Sequence, residues 1–195
     1  DIVLEATGRF TKAEDAKKAR RDRRTLPTKL GVIELATGTK REFERVRSFR
    51  FAGDRSNVIA LQLMPPDAPA GGTGGGAAAS GSVIMLVDLA GGAPVTLAGI
   101  GEYAFDESGQ YLAYTIDQRD MLGNGVQLRD MNTGVVRALD GDKAGYRRLT
   151  WADSGDALAV LRTRVDSATK DTLSTVLGWT KVATKPAMVT IDEKS

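Results

Sequence analysis

Several groups of residues have types and spacings that could do chemistry. Gly71–Gly76, reading GGTGGG, has the composition of a phosphate-cradling loop. Such a loop needs a Lys-Ser/Thr pair after its glycines and a helix opening there, so that backbone N–H groups face the anion. Here Ala77–Ser80 leads instead into an apolar, strand-like run, and a flexible insertion is expected. Asp140-Gly141-Asp142 begins like a calcium loop, but the position that must supply the last carboxylate is Trp151. A turn is expected. Lys17–Arg24 (KKARRDRR) could bind nucleic acid or an acidic surface. It lacks interleaved aromatics, and Ala13, Ala16 and Ala19 allow only a short solvated helix, so a solvated insertion is expected. Asp106 and Glu107 are adjacent carboxylates, and neighbours on a strand or turn point apart rather than converge on one substrate atom.

The missing residue types narrow the chemistry further. The 195-residue chain has no His and no Cys. Ser-His-Asp and Cys-His catalysis, His metal sites and disulfides are all excluded within it. No catalytic, cofactor-binding or metal-ligating residue is therefore expected, and no cofactor. Formal net charge is +2, unevenly spread: residues 1–50 hold 14 Lys/Arg against 8 Asp/Glu, and residues 51–195 hold 13 against 17. No apolar run approaches the ~18 residues of a membrane span.

The elements that would position any site come from a repeat. Three segments align: SFRFAGDRSNVIALQ from Ser48, EYAFDESGQYLAYT from Glu102 and RLTWADSGDALAVL from Arg148. Each pairs an aromatic (Phe51, Phe105, Trp151) with an apolar residue two before it (Phe49, Tyr103, Leu149), the alternation of a strand with one buried face. The aromatic set Phe49, Phe51, Tyr103, Phe105 and Trp151 could be taken for a substrate cage, but its recurrence in every copy predicts packing between sheets. Polar turns (Asp54–Asn57, Glu107–Gly109, Asp153–Gly155) and a second apolar run follow. A second set, Leu30–Gly38, Ser82–Gly92 and Gly125–Gly134, reads as strands ending in Gly turns, each followed by a short strand: Arg41–Val46, Pro94–Ala98 and Val135–Leu139. A degenerate copy has Leu173–Trp179 and Met188–Ile191.

The unit is strand A (aromatic), strand B, a variable loop, strand C, a Gly turn and strand D. The long insertions fall between B and C. The expected fold class is all-β, a β-propeller of four-stranded blades, with about four blades present out of a seven- or eight-bladed ring. The expected organisation is one partial propeller over 1–195. It comprises an incomplete blade at 1–46 with a basic insertion at 11–28, a blade at 48–98 with a Gly-rich insertion at 64–81, and blades at 102–140 and 146–192.

The pattern aromatic-x-x-x-Gly-x-x-Leu-Ala-(Tyr/Val), at Phe105–Tyr114 and Trp151–Val160, resembles the propeller repeat of TolB-like proteins. The same repeat forms the N-terminal propeller of prolyl-oligopeptidase-type serine peptidases. The segments VIMLVDLAGG and VQLRDMNTG resemble its strand-C pattern. The long B–C insertions are most similar to those of large secreted bacterial members. The A–B turns depart from the family's usual Asp-Gly, reading Glu107-Ser108-Gly109 and Asp153-Ser154-Gly155, and the first copy carries an extra residue. The Gly-x-Ser-x-Gly elbow of the peptidase domain is absent.

The resemblance implies a non-catalytic propeller segment of such a peptidase, gating peptide access to a catalytic domain absent from the chain. Implied partners are the remaining blades, that α/β-hydrolase domain and the parent's peptide substrate, with self-association if exposed blade faces meet. A periplasmic or secreted location is implied as well. The alternative is a TolB-like or WD-repeat-like protein-interaction module. A nucleic-acid or membrane-surface adaptor working through Lys17–Arg24 is the weakest reading; nucleic acid is not an expected partner.

Overall fold

The computed structural model describes residues 2–7, 29–64 and 81–192. Among them are fourteen strands and no helix, all neighbouring strands antiparallel. β1 (Ile2–Thr7), β2 (Lys29–Glu34) and β3 (Lys40–Glu44) form one sheet. A seven-stranded ladder follows: β4 (Val46–Ala52), β5 (Arg55–Leu63), β6 (Ser82–Asp88), β7 (Val95–Phe105), β8 (Tyr111–Ile116), β9 (Gly125–Asp130) and β10 (Val136–Gly141). β11 (Gly145–Trp151), β12 (Ala157–Val165), β13 (Thr172–Thr180) and β14 (Ala187–Ile191) form the last sheet.

The seven-stranded ladder is two blades joined by one bent strand. The first half of β7 pairs with β6 (Met85↔Thr96, Ile84↔Leu97), and the second half pairs with β8 (Tyr103↔Tyr114, Phe105↔Leu112). Ile100 sits at the joint and faces Ser82 on one side and Ile116 on the other. Separate strands were expected at Pro94–Ala98 and from Glu102. The chain instead stays extended through the crossover because Gly99, at φ 70°, bends it where a side chain would collide with Gln118. The molecule is thus a row of four blade units: β1–β3 as strands B, C and D; β4–β6 with the start of β7; the end of β7 with β8–β10; and β11–β14.

Three hydrophobic clusters lie between successive blades, and strand alternation divides each sheet's residues between them. Leu30, Val32, Val46, Ile59, Leu61 and Val87 fill the first interface, with Phe51 against them. Ala60, Ile84, Leu86, Ile100, Leu112 and Tyr114 fill the second, backed by Tyr103 and Phe105. The third is the largest, with Ala113, Val126, Leu128, Ala144, Tyr146, Leu158, Val160, Leu177, Trp179 and Val182, and Leu149 and Trp151 at its margin. On β5, Ile59 and Leu61 face back and Ala60 faces forward; on β8, Leu112 and Tyr114 face back and Ala113 forward. Blade-on-blade burial of this kind is the main favourable term, at roughly 25 cal/mol per Å² of apolar surface.

Four local differences from the sequence expectation have physical causes. The first A–B turn is Gly53-Asp54 rather than Asp54–Asn57. Strand β5 starts at Arg55, and the surplus residues are taken up as an irregularity between the Ala52↔Arg55 and Phe51↔Ile59 pairs. The connection expected across Arg162–Thr172 is shorter, because β12 and β13 stay paired out to Val165↔Thr172 and turn through Asp166–Asp171. That turn is closed by the Asp166 carboxylate, which accepts the N–H groups of Ala168 and Thr169. Phe49, expected to pack, is 40% exposed. Its equivalents Tyr103 and Leu149 rest on the preceding blade, whereas the first blade has no strand A among the described residues. Lastly, Asp140 and Gly141, expected as a turn, end strand β10, opposite Val126 and Gly125.

Candidate functional site

Strand A is the innermost of each blade, and three such strands lie side by side. Arg50 of β4 stands over the Tyr103 ring, 5.9 Å from its centroid. Across the next interface, the Leu149 N–H donates to the Glu102 carboxylate (2.8 Å) and the Trp151 indole N–H donates to the Ala104 carbonyl (3.0 Å). The A strands therefore form an inner rim. Each is bulged at its start: the A–B register shifts between Val46 and Ser48, between Ile100 and Tyr103, and between Arg147 and Thr150. Bulges turn side chains away from the regular pleat. Arg47 and Arg148 occupy two of these positions and Arg147 immediately precedes the last; all three are exposed, and Arg148 holds φ 57°.

The face carrying the B–C and D–A connections has a polar cluster between the third and fourth blades. The Tyr146 hydroxyl donates to Asp140 (2.7 Å), and Arg162 reaches both Asp140 (3.3 Å) and Asp142 (3.9 Å). Arg164 pairs with Asp142 as well. Burial, then the Asp140 hydrogen bond, push the Tyr146 hydroxyl well above its ordinary pKa. The aspartates that could have opened a calcium loop are thus held by two arginines. Asn124 ties the same corner, donating to the Ala144 carbonyl (2.9 Å) and accepting from the Gln118 N–H (2.6 Å).

The opposite face, made of A–B and C–D turns, differs along the row. Between the second and third blades the turns touch: Asp54 N–H donates to the Glu107 carbonyl (2.8 Å), and Arg55 reaches the Asn132 side chain (2.8 Å). Asp106 is buried and caps its own turn, accepting from the Tyr111 N–H (2.7 Å) and from Ser108. It faces away from any shared site with the exposed Glu107. Between the first two blades lies instead a groove of about 650 Å³, lined by Val32, Glu34, Arg41, Phe51, Asp54 and Leu89 among others. It occupies the place that a strand A and its turn fill at the next interface.

Of the other residues weighed from sequence, Phe51, Tyr103, Phe105 and Trp151 back the inter-blade cores. Gly71–Gly76 and Lys17–Arg24 lie outside the described residues. Among the described residues no group of three or more Asp or Glu converges as a metal site, and no helix is long and apolar enough to cross a membrane. The inner-rim arginines were missed in the sequence. The signal was present, as Arg47 and Arg147 hold the same repeat position, but only strand pairing shows that each lies at or beside a bulge.

No protein-family model matches the sequence, and no curated protein matches it. Solved structures do. The β-propeller domain of the trilobed protease from Pyrococcus furiosus, described as having an open velcro topology, superposes with a TM-score of 0.56 at 12% identity, covering 98% of this chain and 54% of that one. An oligogalacturonate lyase in complex with manganese gives 0.52 at 12% identity over 98% of this chain and 62% of that one. An acylaminoacyl peptidase from Pyrococcus horikoshii gives 0.51 at 10% identity, covering 77% and 25%. The fold is a β-propeller, and the chain spans about half the length of the trilobed-protease propeller.

Proposed function

We propose that the chain is a non-catalytic part of the propeller of a prolyl-oligopeptidase-like serine peptidase, in which it restricts access of peptides to a catalytic domain carried outside these residues. In this reading, residues 1–46, 48–98, 102–140 and 146–192 are successive blades, the first incomplete. The observation that carries the reading is the repeat at Phe105–Tyr114 and Trp151–Val160, folded as a propeller similar to the propeller domain of a protease and to an acylaminoacyl peptidase. A propeller fold alone does not fix activity, as the similar oligogalacturonate lyase illustrates.

Further blades are supported by the last sheet. Ala113, Val126 and Leu128 on the forward face of the third blade are buried by the fourth. The same face of the fourth blade presents Ala159, Leu161 and Val176, with Val189 and Ile191 each 56% exposed. An exposed apolar face of that kind calls for a covering sheet. A periplasmic or secreted location belongs to the same reading. With no His in the chain, the purified protein hydrolyses no peptide or ester; turnover that persists through repurification and follows the protein peak would refute this. The parent activity is tested by reading the gene beyond codon 195. A Gly-x-Ser-x-Gly elbow followed by Asp and His supports the peptidase, and a frame that ends in further blades alone favours an interaction module.

A further inference from the structure

We propose that the inner rim, where Arg47, Arg147 and Arg148 leave the bulged starts of the A strands, is a docking site for an acidic peptide segment. An irregularity recurs near the start of every A–B ladder, at Arg47 in β4, at Gly101-Glu102 in β7 and at Arg148-Leu149 in β11, and Arg147 immediately precedes the last. All three are exposed, and none of their guanidinium groups has a hydrogen bond or ion pair among the described residues. Arg148 in addition sits at φ 57°, a left-handed conformation uncommon for a non-glycine residue, and its side chain is exposed there.

The charge of the rim sets the class of partner. β4, the inner half of β7 and β11 together carry Arg47, Arg50, Arg147 and Arg148 against one acid, Glu102. That carboxylate accepts the Leu149 N–H, and the four guanidiniums of these strands outnumber it. Planar guanidinium forks match carboxylates two bonds at a time. Between the two Arg-bearing strands the equivalent position is Gly101, where an added Cβ would press on Thr115 and Asp117. The Asp117 side chain stands beside that point, so a chain crossing from β4 to β11 would set its carboxylates against the arginines at either end and not at the middle. The rim lies on the face where β5 ends: Met64 N–H donates to the Arg45 carbonyl (2.7 Å), and Arg45 returns a bond to the Met64 carbonyl (2.9 Å). An extended peptide with spaced carboxylates fits this arrangement. A nucleic acid fits less well, because Phe49 is the one exposed aromatic on the three strands and base stacking requires several.

The inference is independent of the peptidase reading, since an interaction module would present the same rim. The test is fluorescence anisotropy of labelled hexaglutamate with the 195-residue protein at low and at moderate salt. Binding that weakens with salt is expected, reduced at least about tenfold by Arg47→Ala/Arg147→Ala/Arg148→Ala and unchanged by Lys185→Ala on the opposite face. Should the triple alanine variant fail to fold, the triple lysine variant, which keeps charge but loses the fork, gives an intermediate affinity. Failure of hexaglutamate to bind, equal binding of hexalysine, or equal loss with Lys185→Ala would overturn the proposal. Tighter binding of oligothymidylate or oligogalacturonate than of hexaglutamate would overturn the assignment to peptide.

Discussion

The forward faces of the third and fourth blades are built from the same repeat positions and have opposite fates. Ala113 and Leu128 in one correspond to Ala159 and Gly178 in the other, and Val126 corresponds to Val176. In the third blade these residues are closed over by Leu158, Val160, Leu177 and Trp179. In the fourth, Val176 is 40% exposed. The difference lies in what stands beside each sheet and not in the sheet itself. A blade contributes a face, and its stability is realised when the neighbour arrives, as in other arrays in which each repeat contacts only adjacent repeats.

The largest effect that sharpens this contrast is truncation on its two sides. Leu158→Ala, within the third interface, should destabilise by about 2–5 kcal/mol, while Val176→Ala should cost under about 1 kcal/mol. Urea unfolding measures both, and equal losses would break the comparison. Gly109→Ala comes next. Gly109 holds φ 68° and a Cβ added there would collide with the Ala52 carbonyl, so a methyl must push two turns apart, at a cost of about 2–3 kcal/mol. Gly155→Ala, at φ 71° but with open space around it, isolates the backbone term and should cost about 1 kcal/mol. Trp151→Phe removes the indole donor to the Ala104 carbonyl while keeping an aromatic ring, and should lower stability by about 1 kcal/mol.

The smallest effect is one of pH. The N–H groups of Thr133 and Asn132 hold the Asp130 carboxyl below its ordinary pKa, and those of Thr169 and Ala168 do the same for Asp166. A folded-state pKa below the unfolded one contributes stability that is present above the unfolded value, near 4 by ordinary aspartate behaviour, and is lost as pH falls through the folded value. Asp130→Asn should therefore lower the melting temperature slightly at neutral pH and leave it unchanged at low pH, which flattens the acid limb of the profile. An unaltered acid limb would show that the turn is closed by its backbone bonds alone.

Much of the fold was legible because the propeller repeat writes the same residues at the same face. Phe51, Phe105 and Trp151 marked the strands, and Gly38 and Gly134, both at positive φ, marked the C–D turns. What was not legible depended on neighbours. Phe49 has the sequence signature of a packed residue and is exposed, with no strand A before it among the described residues. The continuity of β7 through Gly99–Gly101 and the bulges at Arg47 and Arg148 arise from strand pairing, which no local pattern encodes. The Asp140–Asp142 cluster drew on Arg162 and Arg164, some twenty residues downstream, which only the β11–β12 hairpin brings near.

The state of association of the chain tests the account most directly. Among the described residues the rear of the first sheet carries two ion pairs, Lys29 with Glu44 (2.9 Å) and Lys40 with Glu42 (3.0 Å), a poor match for the apolar forward face of the last. The chain should therefore associate through the forward face alone, around Val176, Val189 and Ile191. Light scattering at micromolar concentration should show concentration-dependent association that Val176→Lys/Ile191→Lys abolishes without lowering the melting temperature by more than a few degrees. A compact, cooperatively melting monomer of the unsubstituted chain would mean that the blades are complete without further partners, and would contradict the account.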